Sequence, residues 1–171
     1  HPLTRLGIFL KLLQALQFCH EKGVFHRNIN AESIWVQADL ADMRLVGFDC
    51  ALDVGGTVTG NTSALSSRDP RLIPPEDLRM GRTVNGRLSD VFQSGVFLYR
   101  LLEDGAWPFE SSLDYVRSGG AMRSFVAPCD DSETMHLRSL CKAMMHIEPK
   151  LRPDLLSKVE QDLKAAVAST S

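Results

Sequence analysis

The sequence predicts a mainly α domain with a few short β-strands, an α+β arrangement dominated by helices. Three observations carry this. From Leu3 to Lys22, the residues Leu6, Phe9, Leu10, Leu13 and Leu16 fall at three- and four-residue steps and form one apolar stripe. From Leu88 to Glu103, apolar residues (Val91, Phe92, Val96, Phe97, Leu98, Leu101, Leu102) cover nearly every face, the pattern of a central buried helix. Between them lie short β-prone runs, Val24-Phe25, Ile34-Trp35-Val36 and Met43-Arg44-Leu45-Val46, separated by polar stretches.

The elements follow in order. Thr4 is a candidate N-cap for the first helix, and Gly23 can take the left-handed conformation that ends it. From Asp53 to Arg71 the chain turns small and polar, with Gly55, Gly56 and Gly60 among Thr and Ser, which predicts a long loop. Pro74-Pro75 ends it, and Glu76-Asp77-Leu78 opens a short helix. Gly105 stops the central helix, and Trp107-Pro108-Phe109 turns the chain. Met135–His146 and Leu155–Val167 are two further amphipathic helices, joined through Pro149 and Pro153.

The chain has 171 residues, 44% hydrophobic and 23% charged. That is enough for one domain with a core of its own, and it excludes a disordered chain, a collagen and a disulfide mini-protein. The net charge of −2 gives no case for nucleic-acid binding. No apolar run approaches the ~20 residues of a membrane span. Cys19, Cys50, Cys129 and Cys141 form no C-x-x-C pair and are read as reduced, buried thiols.

Five segments carry a resemblance. His26-Arg27-Asn28-Ile29-Asn30-Ala31-Glu32-Ser33-Ile34 resembles the catalytic loop of eukaryotic protein kinases, H-R-D-L-x-x-x-N. Leu45-Val46-Gly47-Phe48-Asp49 stands where the strand into D-F-G would lie, and Pro74-Pro75-Glu76 resembles A-P-E. Asp90-Val91-Phe92-Gln93-Ser94-Gly95-Val96-Phe97-Leu98-Tyr99 resembles the family's D-V-W-S-x-G-V-x-L-Y helix. Pro149-Lys150-Leu151-Arg152-Pro153 resembles P-x-x-R-P. The order and spacing together identify a protein kinase-like C-terminal lobe over 1–171. It would comprise a catalytic-loop remnant at 26–34, an activation-segment-like loop at 47–76, the central helix at 88–104 and C-terminal helices at 135–167. The N-lobe is expected to be absent from this chain, with an upstream segment or a partner covering the nucleotide-site face.

The resemblance implies roles. His26, Arg27, Glu76, Asp90 and Arg152 would maintain the fold: Asp90 would accept from backbone amides near His26 and Arg27, and Glu76 would pair with Arg152. Arg27, Arg68 and Arg71 are candidate anion or phosphate contacts. Thr57, Thr59, Thr62, Ser63, Ser66 and Ser67 are candidate acceptors of a phosphate that Arg27 would receive.

At the positions that carry chemistry the chain departs from the family. Phosphoryl transfer needs a carboxylate to orient and accept the substrate proton, metal ligands, and positive charge. The base position is Asn28, the metal-binding Asn is Ser33, the D-F-G aspartate is Gly47, and a basic position is Asn30. Asp49, two residues beyond Gly47, reads as a solvated loop aspartate. Gly55-Gly56-Thr57-Val58-Thr59-Gly60-Asn61-Thr62 mimics P-loop spacing but has Asn61 in place of the lysine. His136, Cys141 and His146 recur every five residues, which rotates them apart on a helix. Neither a cofactor nor a metal is expected.

The expectation is therefore a catalytically inactive pseudokinase, not an enzyme, acting as a protein-interaction scaffold or allosteric regulator. Its partner would be another protein, with the surface around Trp107 and Phe109 a place for it to dock. The alternative is a divergent nucleotide-binding transferase using non-standard metal ligands such as Asp49 or Asp53. The compartment stays open between an intracellular setting, which is favoured, and that of a secreted pseudokinase.

Overall fold

A computed structural model describes residues 2–37, 42–53, 68–80, 85–126 and 132–153, with Val159 and Gln161. Helix α1 (Pro2–Glu21) ends where Gly23 takes φ 75°. Its buried stripe is Phe9, Leu12, Leu13 and Leu16, all at 0% exposure, so the stripe is centred on Leu12 as much as on Leu10. The strand β1 (Val24–Phe25) pairs antiparallel with β4 (Leu52–Asp53), placing Phe25 opposite Leu52. β2 (Ile34–Val36) pairs antiparallel with β3 (Met43–Leu45), with Trp35 opposite Arg44. Two-stranded ladders are marginal by themselves; α1 lies against β1 and β3 and supplies the missing face.

The helix α2 (Pro75–Met80) follows the double proline, and the long helix α3 (Gly86–Leu102) begins at an Asn85 N-cap whose Oδ1 accepts from the Leu88 amide. The side chains from Ser89 to Val96 are all buried, as are Leu98 and Tyr99. A six-residue helix α4 (Ser112–Arg117), absent from the sequence reading, is capped by Ser111 Oγ. α5 (Ser132–Met144) packs on α3. Most of the expected helix at 155–167, Cys129, and the loop residues 54–67 lie outside the described residues.

The α3–α5 contact has one sharp requirement. A Cβ built at Gly95 would stand 2.8 Å from Met145 Cγ and 2.9 Å from Met144 Cβ, with the Met145 amide nitrogen at 3.2 Å. Gly95 also lends its carbonyl to the Cys141 thiol at 3.3 Å. Gly95→Val should therefore push the two helices apart and destabilise by about 1–3 kcal/mol, the range for overpacking a core. A urea titration showing no loss would refute the close approach.

Candidate functional site

The frame of the site is built on one buried carboxylate. Asp90, at 0% exposure on α3, accepts from the Arg27 amide through Oδ1 at 2.6 Å. Its Oδ2 accepts from the His26 amide at 2.9 Å and from His20 Nε2 at 2.7 Å. Arg27 has φ 66°, the left-handed region that a side chain enters only when its surroundings fix it. The two amide bonds to Asp90 do that fixing. Gln93, one turn along α3, completes the clamp: Oε1 accepts from the Ile29 amide at 2.8 Å, and Nε2 donates to the carbonyls of Arg27 (3.1 Å) and Leu72 (2.9 Å). His20 and Gln93 escaped the sequence reading. The signal for Gln93 was present, since a polar side chain inside a helix apolar on all faces must find partners.

His26 ties this loop to the segment before Gly47. Its Nε2 donates to the Val46 carbonyl at 2.9 Å, while Nδ1 accepts from the Asn28 amide at 3.3 Å. Both ring nitrogens are thereby assigned to the neutral form. Burial is the main force holding the imidazole pKa below its usual value, and the nearby Arg68 adds to it. The ring also meets Phe48 edge-on, with centroids 4.6 Å apart. A histidine with a lowered folded pKa contributes stability that is intact above the unfolded value of ~6.5 and is lost as pH falls through the folded one. His26→Gln should flatten the stability–pH profile below ~6.5 relative to the parent, as measured by urea midpoints.

Asn28, Asn30 and Ser33 lie on the loop that His26 ties to the segment before Gly47, and two of them, Asn30 and Ser33, are committed to each other. Asn30 Oδ1 accepts from the Ser33 amide at 2.8 Å, and Ser33 Oγ accepts from the Asn30 amide at 3.0 Å. Ser33 Oγ also donates to the Asn30 carbonyl at 2.9 Å. This reciprocal box caps a short 3-10 turn at Ala31–Ser33. Gly47 sits at φ 76°, and a Cβ there would be 3.8 Å from Ser33 Cβ. The two positions to which the resemblance assigns metal ligands are thus neighbours. Their residues do not fit a magnesium ion, which needs several hard oxygens in octahedral array. One has no side chain, and the other offers only a neutral hydroxyl already held by the Asn30 backbone. Asp49 is exposed beside them, in the 3-10 turn Phe48–Cys50. Among the described residues no group of three or more His, Cys, Asp or Glu converges on a metal position.

The arginines separate. Arg68 is buried beside Arg27, close enough that its charge, after burial, is the next cause lowering the Arg27 pKa. Its Nε, Nη1 and Nη2 have no hydrogen-bond partner among the described residues. Arg71 lies elsewhere: it forms a bidentate pair with Asp69 (2.9 and 2.7 Å) and stacks 3.8 Å from the Trp107 ring centroid. Arg100 covers Trp107 at 4.1 Å. Trp107 is half-buried in this stack, and Phe109 is buried against Tyr115 and Phe92. The surface expected around Phe109 therefore does not form, because that ring completes the core. Next to the stack, a cleft of about 310 Å³ runs from Ala31 to Phe97, Arg100 and Asp104.

Glu76 and Arg152 form a buried bidentate pair, both N–O distances 2.7 Å. Arg152 also donates to the carbonyls of His146 (2.8 Å) and Leu88 (3.1 Å) and stacks 4.9 Å from the Phe92 ring centroid. Of the remaining trio, Cys141 is buried with its thiol pKa pushed up by desolvation, while His136 is exposed. No helix among the described residues is long and apolar enough to cross a membrane.

A helical domain whose buried aspartate clamps a histidine–arginine loop, and whose Glu–Arg pair ties a proline-led helix to the C-terminal segment, defines a protein kinase-like fold. The protein kinase domain model matches residues 5–163, and the chain belongs to that family. Among curated proteins it is 32% identical over 108 residues to CBL-interacting serine/threonine-protein kinase 16 of Arabidopsis thaliana, covering 59% of this chain and 22% of that protein. It is 30% identical over 149 residues to sperm motility kinase 2B of Mus musculus, covering 86% of this chain and 29% of that one. The chain thus spans about a fifth to three-tenths of these relatives' lengths. These findings overturn the expectation that the chain is not an enzyme: its family is that of the protein kinases, and its relatives are named as kinases. The residues at 28, 33 and 47 are departures within that enzyme family, and loss of ligands at single positions does not decide the class of the chain.

Proposed function

We propose that this segment is the C-terminal lobe of a protein kinase-family protein, and that it binds another protein and regulates the domain through that contact. The observation that carries the reading is selective retention. The clamps that shape the lobe are complete (Asp90 to residues 26 and 27, Gln93 to Ile29 and Leu72, Glu76 to Arg152), while Ser33 and Asn30 bond to each other. The docking face is the cleft at Ala31, Phe97 and Arg100, bordered by the Arg71–Trp107–Arg100 stack. Burial of aromatic and arginine groups at such a face is the usual source of interface energy. Arg100→Ala should weaken capture of a purified binding partner by about tenfold or more without changing the melting temperature by more than ~2 °C. Equal capture by the parent and the variant would sink this assignment.

Arg27 and Arg68 supply the regulatory part of the proposal. Two buried guanidinium groups side by side favour an anion between them. The candidate phosphate acceptors Thr57, Thr59, Thr62, Ser63, Ser66 and Ser67 lie outside the described residues. Without an anion, Arg68 is a buried charge with no hydrogen-bond partner among the described residues, and Arg68→Met should stabilise the domain by about 1–3 kcal/mol in chloride buffer. A loss of stability in urea titrations would show that the guanidinium is already satisfied.

A second reading, a divergent nucleotide-dependent transferase, rests on family membership and on the exposed carboxylate of Asp49 beside His26 and Gly47. Asp49 and Asp53 would then be its metal ligands. It predicts a magnesium-dependent rise in melting temperature with ATP, since a ligand that binds only the folded state stabilises it. The protein-binding reading predicts no such rise.

A further inference from the structure

Away from the catalytic-loop remnant, α4 and its exit meet the end of α5 around a second cleft of about 300 Å³. Its apolar lining is Tyr115, Met122 and Ile147, with Gly119 and Gly120 beside them. Gly120 has φ 91°, a left-handed conformation that disfavours any side chain, so this part of the lining stays bare backbone beside Ile147 and the Tyr115 hydroxyl. The Tyr115 hydroxyl donates to the Met145 carbonyl at 2.7 Å and adds no polarity to the wall.

The polar groups are Lys142 and His146, four residues apart. The Lys142 side chain is exposed, its ammonium 5.9 Å from the Phe125 ring centroid, and it forms no ion pair among the described residues. His146 Nδ1 accepts from the Glu148 amide at 3.0 Å, closer than the 3.3 Å to the Glu148 carbonyl, which leaves the ring proton on Nε2. No acidic side chain lines the cleft among the described residues. An apolar cleft with one ammonium, one imidazole N–H and no carboxylate among its described lining residues is complementary to an apolar body with an anionic head. The volume sits at the small end of ligand sites.

We propose that this cleft binds a small aliphatic or aromatic carboxylic acid, with the carboxylate on Lys142 and His146 and the apolar part against Tyr115, Met122 and Ile147. The assignment is independent of the protein-docking face. The test uses the full 171-residue chain with octanoate, octanol and octylamine as probes. Octanoate should shift the amide resonances of Gly119 and Gly120 and raise the melting temperature. Lys142→Met should weaken octanoate binding by about fivefold or more, and Met122→Trp, which fills the chamber, should abolish it. Octanol and octylamine should bind more weakly than octanoate. Unmoved glycine resonances, equal affinity for octanol, or undiminished binding by Lys142→Met or by Met122→Trp would overturn the proposal.

Discussion

Asp90→Ala should lower the unfolding free energy by about 3–5 kcal/mol, the scale for removing a buried, hydrogen-bonded charge. Three donors lose their acceptor at once: the amides of His26 and Arg27 and the His20 ring. None of the three residues is more than 8% exposed, so water cannot replace the carboxylate without opening the structure. The left-handed Arg27 backbone would lose what fixes it, so the damage should spread along the loop. Asp90→Asn separates charge from shape. Its amide group keeps one acceptor and places a donor against a donor, so its cost should fall between the parent and Asp90→Ala. Chemical denaturation measures the totals, and hydrogen exchange at His26 and Arg27 localises them. Loss of less than ~0.5 kcal/mol with unchanged exchange would mean that the clamp is incidental.

Arg152→Met should be as severe, about 3–5 kcal/mol. The substitution leaves the Glu76 carboxylate buried with its charge unpaired, and it strips donors from the carbonyls of His146 and Leu88. Glu76→Gln should cost less, because Arg152 keeps both carbonyls and its stack on Phe92. The double variant Glu76→Leu/Arg152→Met removes both charges and should recover part of the loss, since two buried ions are replaced by packed apolar groups. Urea titration of the parent, Glu76→Leu, Arg152→Met and the double variant closes the cycle. Strict additivity of the two single effects would show that the pair does not act as a unit.

The sequence made the fold's helices legible where periodicity was strong. α1 and α3 announced themselves because burial on one face, or on all, leaves a repeating mark along the chain. The helix at Ser112–Arg117 left none: six residues give less than two turns of pattern, and its order comes from the Ser111 cap and from packing on α2. The pairing of β1 with β4 was equally silent, because two-residue strands have no alternation to read.

At the candidate site the sequence named Asp90, Glu76 and Arg152 by resemblance, and each is buried and hydrogen-bonded, Asp90 to the Arg27 amide and Glu76 to Arg152. It grouped Arg27, Arg68 and Arg71 by charge alone. Side-chain direction divides them: Arg68 turns inward to Arg27, and Arg71 turns to Asp69 and Trp107. The chain turns between them, with the Leu72 amide donating to the Asp69 carbonyl at 2.9 Å, so nearness in the chain says little about shared sites. Phe109 shows the same limit, since an aromatic after a turn looks alike whether it anchors a partner or fills a core.

What the sequence determined alone was composition, helical periodicity and the residue types at 28, 33 and 47, because each is a property of the chain before it folds. Only the tertiary structure decided which polar groups are satisfied. Hydrogen bonding is directional and short-ranged, so whether the Asp90 carboxylate finds the amides of His26 and Arg27, and whether Arg68 finds a partner among the described residues, depends on atoms brought together by the fold.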